Sequence, residues 1–237
     1  MFKKYLKAFR DLLFPLTCFS CQKKIESSIL CNNCQEKISF LKPPLCLCCS
    51  QPIAEADDNT CKACREKPVH YQKVISAAKY QEPLSSLIGL FKYQHCDYLG
   101  GFLSRLMIQH FINIGFSKQS YDCLIAVPMH PHRLKTRGYN QAEILAGFLS
   151  NHFKIPLRND IIRVAEFRPN QVKLSRAKRQ ENTQKMFIAA ETVKSLNLLL
   201  IDDIFTTGAT VAACAQSLKE KGAGSITVLT LAKTIGG

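Results

Sequence analysis

The sequence predicts an α/β fold, a mostly parallel sheet flanked by helices, preceded by a small cysteine-rich module. Three observations lead there. From residue 73 onward short apolar runs alternate with helical periodicity; Cys-x2-Cys pairs crowd the first seventy residues; and "LLLIDDIFTTGAT" (198–210) runs four aliphatic residues into two carboxylates and a threonine-glycine turn. The expected division is 1–70 for an N-terminal helix and the cysteine module, and 71–237 for the α/β domain.

A chain of 237 residues holds one such domain and a small module, and a hydrophobic share of 46% implies a packed core rather than disorder. Its 32 basic and 18 acidic side chains leave a formal charge of +14, which favours phosphate-bearing partners, either a polyphosphorylated small molecule or a nucleic acid. No run reads as a transmembrane segment. Lys7, Arg10 and Asp11 interrupt the apolar stretch a signal peptide would need, so a cytoplasmic location is expected. Phe2, Leu6, Phe9 and Leu13 recur at helical spacing, as in an amphipathic helix packed on the body or resting on the inner membrane face.

Nine of the twelve cysteines lie between Cys18 and Cys64, a crowding that points to metal rather than disulfides without a secretion signal. Four pairs share one spacing: Cys18 and Cys21, Cys31 and Cys34, Cys46 and Cys49, Cys61 and Cys64. Two such knuckles make a tetrahedral thiolate cage, so the eight ligands predict two structural zinc sites. Metal would supply the free energy that so short a segment cannot draw from burial. Sequential pairing joins the first four ligands and the last four; an interleaved arrangement is the alternative, and Cys48 competes with Cys49 for the third knuckle. The module reads equally as a nucleic-acid or protein-binding finger and as a structural clip. Two four-thiolate sites would lower the effective charge to roughly +10. Cys96, Cys123 and Cys214 sit among apolar neighbours and read as small buried residues.

The α/β elements follow in order. "VISAAKY" (74–80) is a strand; 82–93 and 98–113 carry helical periodicity; "DCLIAVP" (122–128) is a short buried strand ended by proline. Residues 140–153 form an amphipathic helix, "LNLLLID" (196–202) a second buried strand, 209–222 a helix stopped by Gly222, and "SITVLTLAK" (225–233) a last strand. In parallel sheets ligands gather at the carboxyl ends of strands, where Pro128 and Asp202–Asp203 fall. The polar, basic stretch 165–185, "AEFRPNQVKLSRAKRQENTQK", interrupts this pattern and reads as a hood over the site.

Asp202 and Asp203, placed just past a strand end, are acceptors suited to the 2- and 3-hydroxyls of a ribose. Thr206 to Thr210 form a turn into the next helix, whose free amides and threonine hydroxyls make a phosphate cradle, with Gly208 permitting close backbone approach. A phosphate-loop NTPase is excluded, because no glycine-rich loop ends in Gly-Lys-Ser/Thr. Arg133, Lys135 and Arg137 meet no acid before Glu143, so they form a basic cluster suited to a phosphate-bearing ligand. His130 and His132 could also donate to phosphate, or serve as plain loop residues.

The strand, acidic pair, Thr-Thr-Gly, small residue and Thr resemble the type I phosphoribosyltransferase signature. "VPMHPHRLKTRGYNQAEILA" (127–146), "QVKLSRAKRQEN" (171–182) and the cysteine-rich front resemble the ComF family, also called GntX-like, of bacterial competence proteins. The resemblance implies a zinc module joined to a type I phosphoribosyltransferase-like domain, a role in DNA uptake during natural transformation, and a Mg²⁺-dependent phosphoribosyl pyrophosphate site. Asp202 and Asp203 would face the ribose, and Thr206, Thr207, Gly208, Ala209 and Thr210 the 5-phosphate. The loop carrying Pro128, Met129, Arg133, Arg137, Gly138 and Asn140 would hold pyrophosphate, with Arg179 and Asn182 in the hood. Tyr139 stands where the family carries phenylalanine. The acceptor has no legible recognition element. Three roles are therefore open: a phosphoribosyltransferase, a ligand-sensing protein that binds single-stranded DNA, and an adaptor docking other DNA-uptake proteins.

Overall fold

The computed structural model describes residues 16–54, 59–66, 69–117, 120–165 and 186–235. The expected helix over the first residues and the hood from 166 to 185, with Arg179 and Asn182, lie outside the described residues. In chain order the elements are α1 (Asn32–Glu36), α2 (Lys62–Arg65), β1 (Lys73–Lys79), α3 (Leu84–Tyr93), α4 (Leu99–Asn113), β2 (Cys123–Ala126) and α5 (Pro131–Arg137). There follow α6 (Gln141–Phe153), β3 (Ile162–Val164), β4 (Phe187–Ala189), β5 (Leu198–Phe205), α7 (Ala209–Glu220) and β6 (Ile226–Lys233).

Four strands form one parallel sheet in the order β1–β6–β5–β2. Every residue of β6 is buried, as are Leu198 to Ile201 of β5, because helices cover both faces. Such strands read as unbroken aliphatic runs rather than alternating ones, and each buried Leu or Ile contributes about 1.5–3 kcal/mol. α4 and α6 pack on each other, α4 against β1 and β6, and α6 against β2 and β5.

The cysteine module lies along the outer edge of β1. Phe40 bridges Ala78 in antiparallel fashion; Leu41 donates to the Ala77 carbonyl (2.9 Å) and Lys79 to that of Ser39 (2.8 Å). Ser50 joins the same strand, its hydroxyl donating to Val74 (2.8 Å) and accepting from the Ser76 amide (3.1 Å). One apolar core therefore runs from Cys18, Leu30 and Ile38 of the module into Val74, Leu84 and Leu103.

Three expectations change. β5 does not stop at Asp202: β6 runs on to Lys233 and pairs Asp202, Ile204 and Phe205, while β2 ends opposite Ile201. The two aspartates thus lie within the strand, on a stretch whose β2-side edge is open. The segment after Val127 is not all loop, because Pro131 at the first turn and Gly138 at the left-handed C-cap (φ 81°) frame helix α5. Cys96 is not buried but half-buried, its thiol donating to the Gln94 carbonyl at 3.4 Å, whereas Cys123 and Cys214 are core residues. The short antiparallel pair β3–β4, unforeseen, brackets the basic segment at its root.

Candidate functional site

The cysteines come together as two tetrads, Cys18, Cys21, Cys31, Cys34 and Cys46, Cys49, Cys61, Cys64, with the sulfurs of each within 4.8 Å of one another. Sequential pairing holds, and Cys49 rather than Cys48 completes the second set. A tetrahedron with Zn–S bonds of about 2.3 Å has sulfur–sulfur edges of about 3.8 Å. The Cys21–Cys31 and Cys49–Cys61 separations are 3.7 and 3.8 Å, so the donor sets fit zinc. The knuckles are shaped by the chain itself: Gln22 and Ser50, each following a Cys-x2-Cys pair, take left-handed φ values of 60° and 57°. The Cys61 amide donates to Cys46 Sγ at 3.2 Å. Burial opposes ionisation of Cys18, yet amides of Cys21, Cys31 and Ser20 outweigh it and bring the thiol down to about 6. Cys48 stands aside, with its carbonyl accepting from the Tyr71 hydroxyl at 2.9 Å, and burial holds its thiol up.

The second site is a cavity of ≈ 710 Å³ at the carboxyl ends of β2 and β5. Asp202 and Asp203 form its acidic wall, and Thr206 and Thr210 close one end. Pro128, Met129, Arg133 and Arg137 line the α5 side, and Val164, Met186 and Phe187, from the β3–β4 pair and the residue before β4, line another. Asp203, 7% exposed, pairs with Lys92 Nζ at 3.0 Å. Asp202 turns back to accept the Asp203 amide at 2.8 Å. Burial, and then the neighbouring Asp203 charge, push the Asp202 carboxyl up to about 7, against the Asp203 amide and Lys92. A divalent cation would relieve that repulsion, so the pair suits Mg²⁺ as well as a diol.

At the threonine end the twelve-residue helix α7 begins at Ala209, with Thr210 in its first turn, where the free amides and the positive end of the helix lie. Thr207, Gly208 and Ala209 build this turn without lining the cavity through their side chains. The Thr207 hydroxyl accepts from the Ala209 amide at 3.4 Å. Gly208 has φ 79°, and an added Cβ would lie 2.5 Å from the Phe205 ring. Glycine is therefore required by backbone conformation and by Phe205, ahead of any ligand's approach.

On the α5 side Arg133 is exposed at the mouth, while Arg137 lies 4.8 Å from the Tyr93 ring centre and donates to Gln141 Oε1 at 3.2 Å. His130 lines the cavity and caps α5, its Nδ1 accepting from the His132 amide at 3.2 Å; His132 does not line it. Gly138 is the α5 cap and also lies off the wall. Asn140 lines the cavity, but its side chain is a brace: it accepts from the Ala142 amide and donates to the Val127 carbonyl, both at 3.0 Å.

Lys92, Tyr93, Gln141 and Lys233 had no motif to announce them. Lys92 is steadied because the Phe91 carbonyl beside it accepts from Tyr139 (2.6 Å) and Gln141 (3.1 Å), fastening the end of α3 to the start of α6. The tyrosine hydroxyl at 139 is what makes the first of these bonds. Lys233, buried, reaches the carbonyls of Thr206 (3.2 Å) and Thr234 (2.6 Å) over the Phe205 ring, holding the threonine turn from behind.

Fold and sites together define a parallel α/β protein carrying two four-cysteine ribbons on its sheet edge. Residues 9–65 match the double zinc ribbon domain. Over nearly its whole length the chain is similar to proteins described as competence proteins or DNA utilization proteins. It is 29% identical to competence protein F of Haemophilus influenzae, across 93% of this chain and 98% of that one. It is 28% identical to the DNA utilization protein YhgH of Salmonella typhimurium (94% and 100%), and 26% to competence protein ComFC of Bacillus subtilis (86% and 84%). Among solved structures it is similar to an allosteric regulatory enzyme of purine biosynthesis, at 17% identity and TM-score 0.41, over 57% of this chain and a quarter (25%) of that enzyme. It is likewise similar to a purine phosphoribosyltransferase from Pyrococcus horikoshii, at 17% identity and TM-score 0.32, over 60% and 75%. Among the described residues no helix is long and apolar enough to cross a membrane.

Proposed function

We propose that the cavity binds phosphoribosyl pyrophosphate with Mg²⁺, and that the protein transfers the phosphoribosyl group to an acceptor in the service of DNA uptake. One observation carries this reading: the end of β5 sets an acidic pair and a threonine-lined helix start on one cavity, with two arginines facing them from α5. In this reading Asp202 and Asp203 take the ribose hydroxyls, and the same acidic pair would hold Mg²⁺, which would supply positive charge to offset that of the pyrophosphate. Thr206, Thr210 and the amides from Thr207 to Ala209 hold the 5-phosphate. Arg133 and Arg137 face the pyrophosphate and spread the charge it gains as the anomeric carbon–oxygen bond breaks. Arg179 and Asn182 belong to the hood, which excludes water from the activated sugar. Residues 1–70 act as the zinc-clipped module and 71–237 as the phosphoribosyl domain, in the cytoplasm or at the inner membrane face.

Calorimetry with phosphoribosyl pyrophosphate and Mg²⁺ tests the site. The Asp202→Asn, Asp203→Asn variant is expected to lose binding while keeping its far-ultraviolet spectrum; unchanged affinity would refute the ribose role. Pyrophosphate release across candidate acceptors tests turnover. A second reading keeps the pocket as a sensor on a protein that binds single-stranded DNA, favoured by the formal charge of +14. In that case DNA affinity falls steeply between low and moderate salt, and a flat response would remove DNA as a partner.

A further inference from the structure

We propose that the cleft between the first cysteine ribbon and α4 is a second binding site, which takes the planar face and hydrogen-bonding edge of a nucleobase-type heterocycle. The cavity measures ≈ 590 Å³, and none of its lining residues belongs to the pocket at β5. That volume lies within the range of about 300–1,000 Å³ typical of small-ligand sites and accommodates a nucleoside.

Its floor is Leu106 and His110, both buried on α4, with the Phe40 ring stacked on the imidazole at 5.8 Å and 7°. His110 is only 5% exposed, yet among the described residues nothing hydrogen-bonds to its ring. Among the described residues Ser104 Oγ is the one fully buried polar side-chain atom without a partner, so the imidazole nitrogens are not sealed in the core, and an unpartnered ring edge on this cavity is a candidate for a ligand's hydrogen bond. Burial also pushes the imidazole pKa down, which keeps the ring neutral with one donor and one acceptor nitrogen.

Four carboxamides, Asn32, Gln35, Gln109 and Asn113, stand around the rim with one acid, Glu36, and one base, Lys42. This balance does not select a phosphate, in contrast to the arginine-lined pocket. Carboxamides place a donor beside an acceptor, the arrangement by which Asn and Gln engage an adenine edge. Phe40 offers a π-face for the ring. The base could come from a free nucleoside or from a strand, and the shared chemistry is the heterocycle itself.

The test uses full-length, zinc-loaded protein labelled with ¹⁵N-histidine. Its six histidines are followed in a long-range ¹H–¹⁵N spectrum, with His110 assigned through His110→Phe, a change that retains an aromatic ring. Adenosine, guanosine, cytidine and thymidine are titrated separately, then a short oligodeoxyadenylate, with ribose and inorganic pyrophosphate as controls. At least one nucleoside or the oligonucleotide is expected to move the His110 nitrogens to saturation, while both controls leave them in place. A response to the nucleoside assigns a free ligand, and a response to the oligonucleotide alone assigns a strand. The Asp202→Asn, Asp203→Asn variant should respond unchanged, which separates this site from the other. Gln109→Ala with Asn113→Ala, both exposed positions, should weaken binding about tenfold. If no base-bearing probe moves His110, or the rim variant binds as tightly as the parent, the proposal fails.

Discussion

Asparagine at position 202 would keep the shape of the side chain and the oxygen that accepts the Asp203 amide, and would remove only the charge. The native carboxyl is pushed from an ordinary 3.8 to about 7, first by burial and then by the charge of Asp203. The folded protein thus holds that proton more tightly than the unfolded chain does. Its contribution favours folding fully below the unfolded value and is lost as pH rises through about 7. Asparagine does not titrate, so the advantage of Asp202→Asn should grow from near pH 4 to pH 7 and then level off. At about 1.4 kcal/mol per pH unit the span would reach about 4 kcal/mol. Water reaching the half-buried carboxyl reduces this to about 1–2 kcal/mol, or roughly 2–8 °C in Tm for a chain of this size. Thermal unfolding followed by circular dichroism at pH 5, 6, 7 and 8, with zinc held constant, measures the gap. A gap that ignores pH, or a less stable variant at pH 8, would refute the claim that this carboxylate is held ionised at a cost.

Three further outcomes are expected. Cys18→Ser should reduce bound zinc from two ions to one in elemental analysis, while Cys48→Ser leaves both. Lys92→Met should destabilise by about 2–4 kcal/mol in urea by stranding the buried Asp203 charge, and adding Asp203→Asn should recover most of that loss in a double-mutant cycle. Gly208→Ala should cost about 1–3 kcal/mol, because φ 79° and the Phe205 ring both oppose a Cβ; an unaffected urea midpoint would contradict that.

The parts of the molecule legible in the sequence are those whose cause is local. β5 announces itself by four consecutive aliphatics and β6 by an apolar run broken by Thr227 and Thr230, as burial on both faces favours, and the tetrads because a knuckle needs two residues between its sulfurs. The shared spacing also favours Cys49 over Cys48, and Cys49 is the one in the tetrad. The true end of β5 was hidden because a neighbouring strand, β6, sets it rather than any residue of β5. Helix α5 carried its own marks, a first-turn proline and a C-cap glycine, but a seven-residue helix hardly shows a period. Lys92 left no trace at all, since α3 meets β5 only after the sheet has formed. The same holds for Lys233, which reads as one more cation at the end of a strand.

The ribbon laid along β1 bears on how the protein would fail. Ser39 and Leu41 occupy main-chain groups that a sheet otherwise turns toward any extended chain passing by. Chelating the metal should therefore do more than slacken the front of the molecule: it would bare a template on which copies can stack. Turbidity or light scattering after chelation, rising with protein concentration, would reveal zinc as a guard against self-association, in addition to its part in folding.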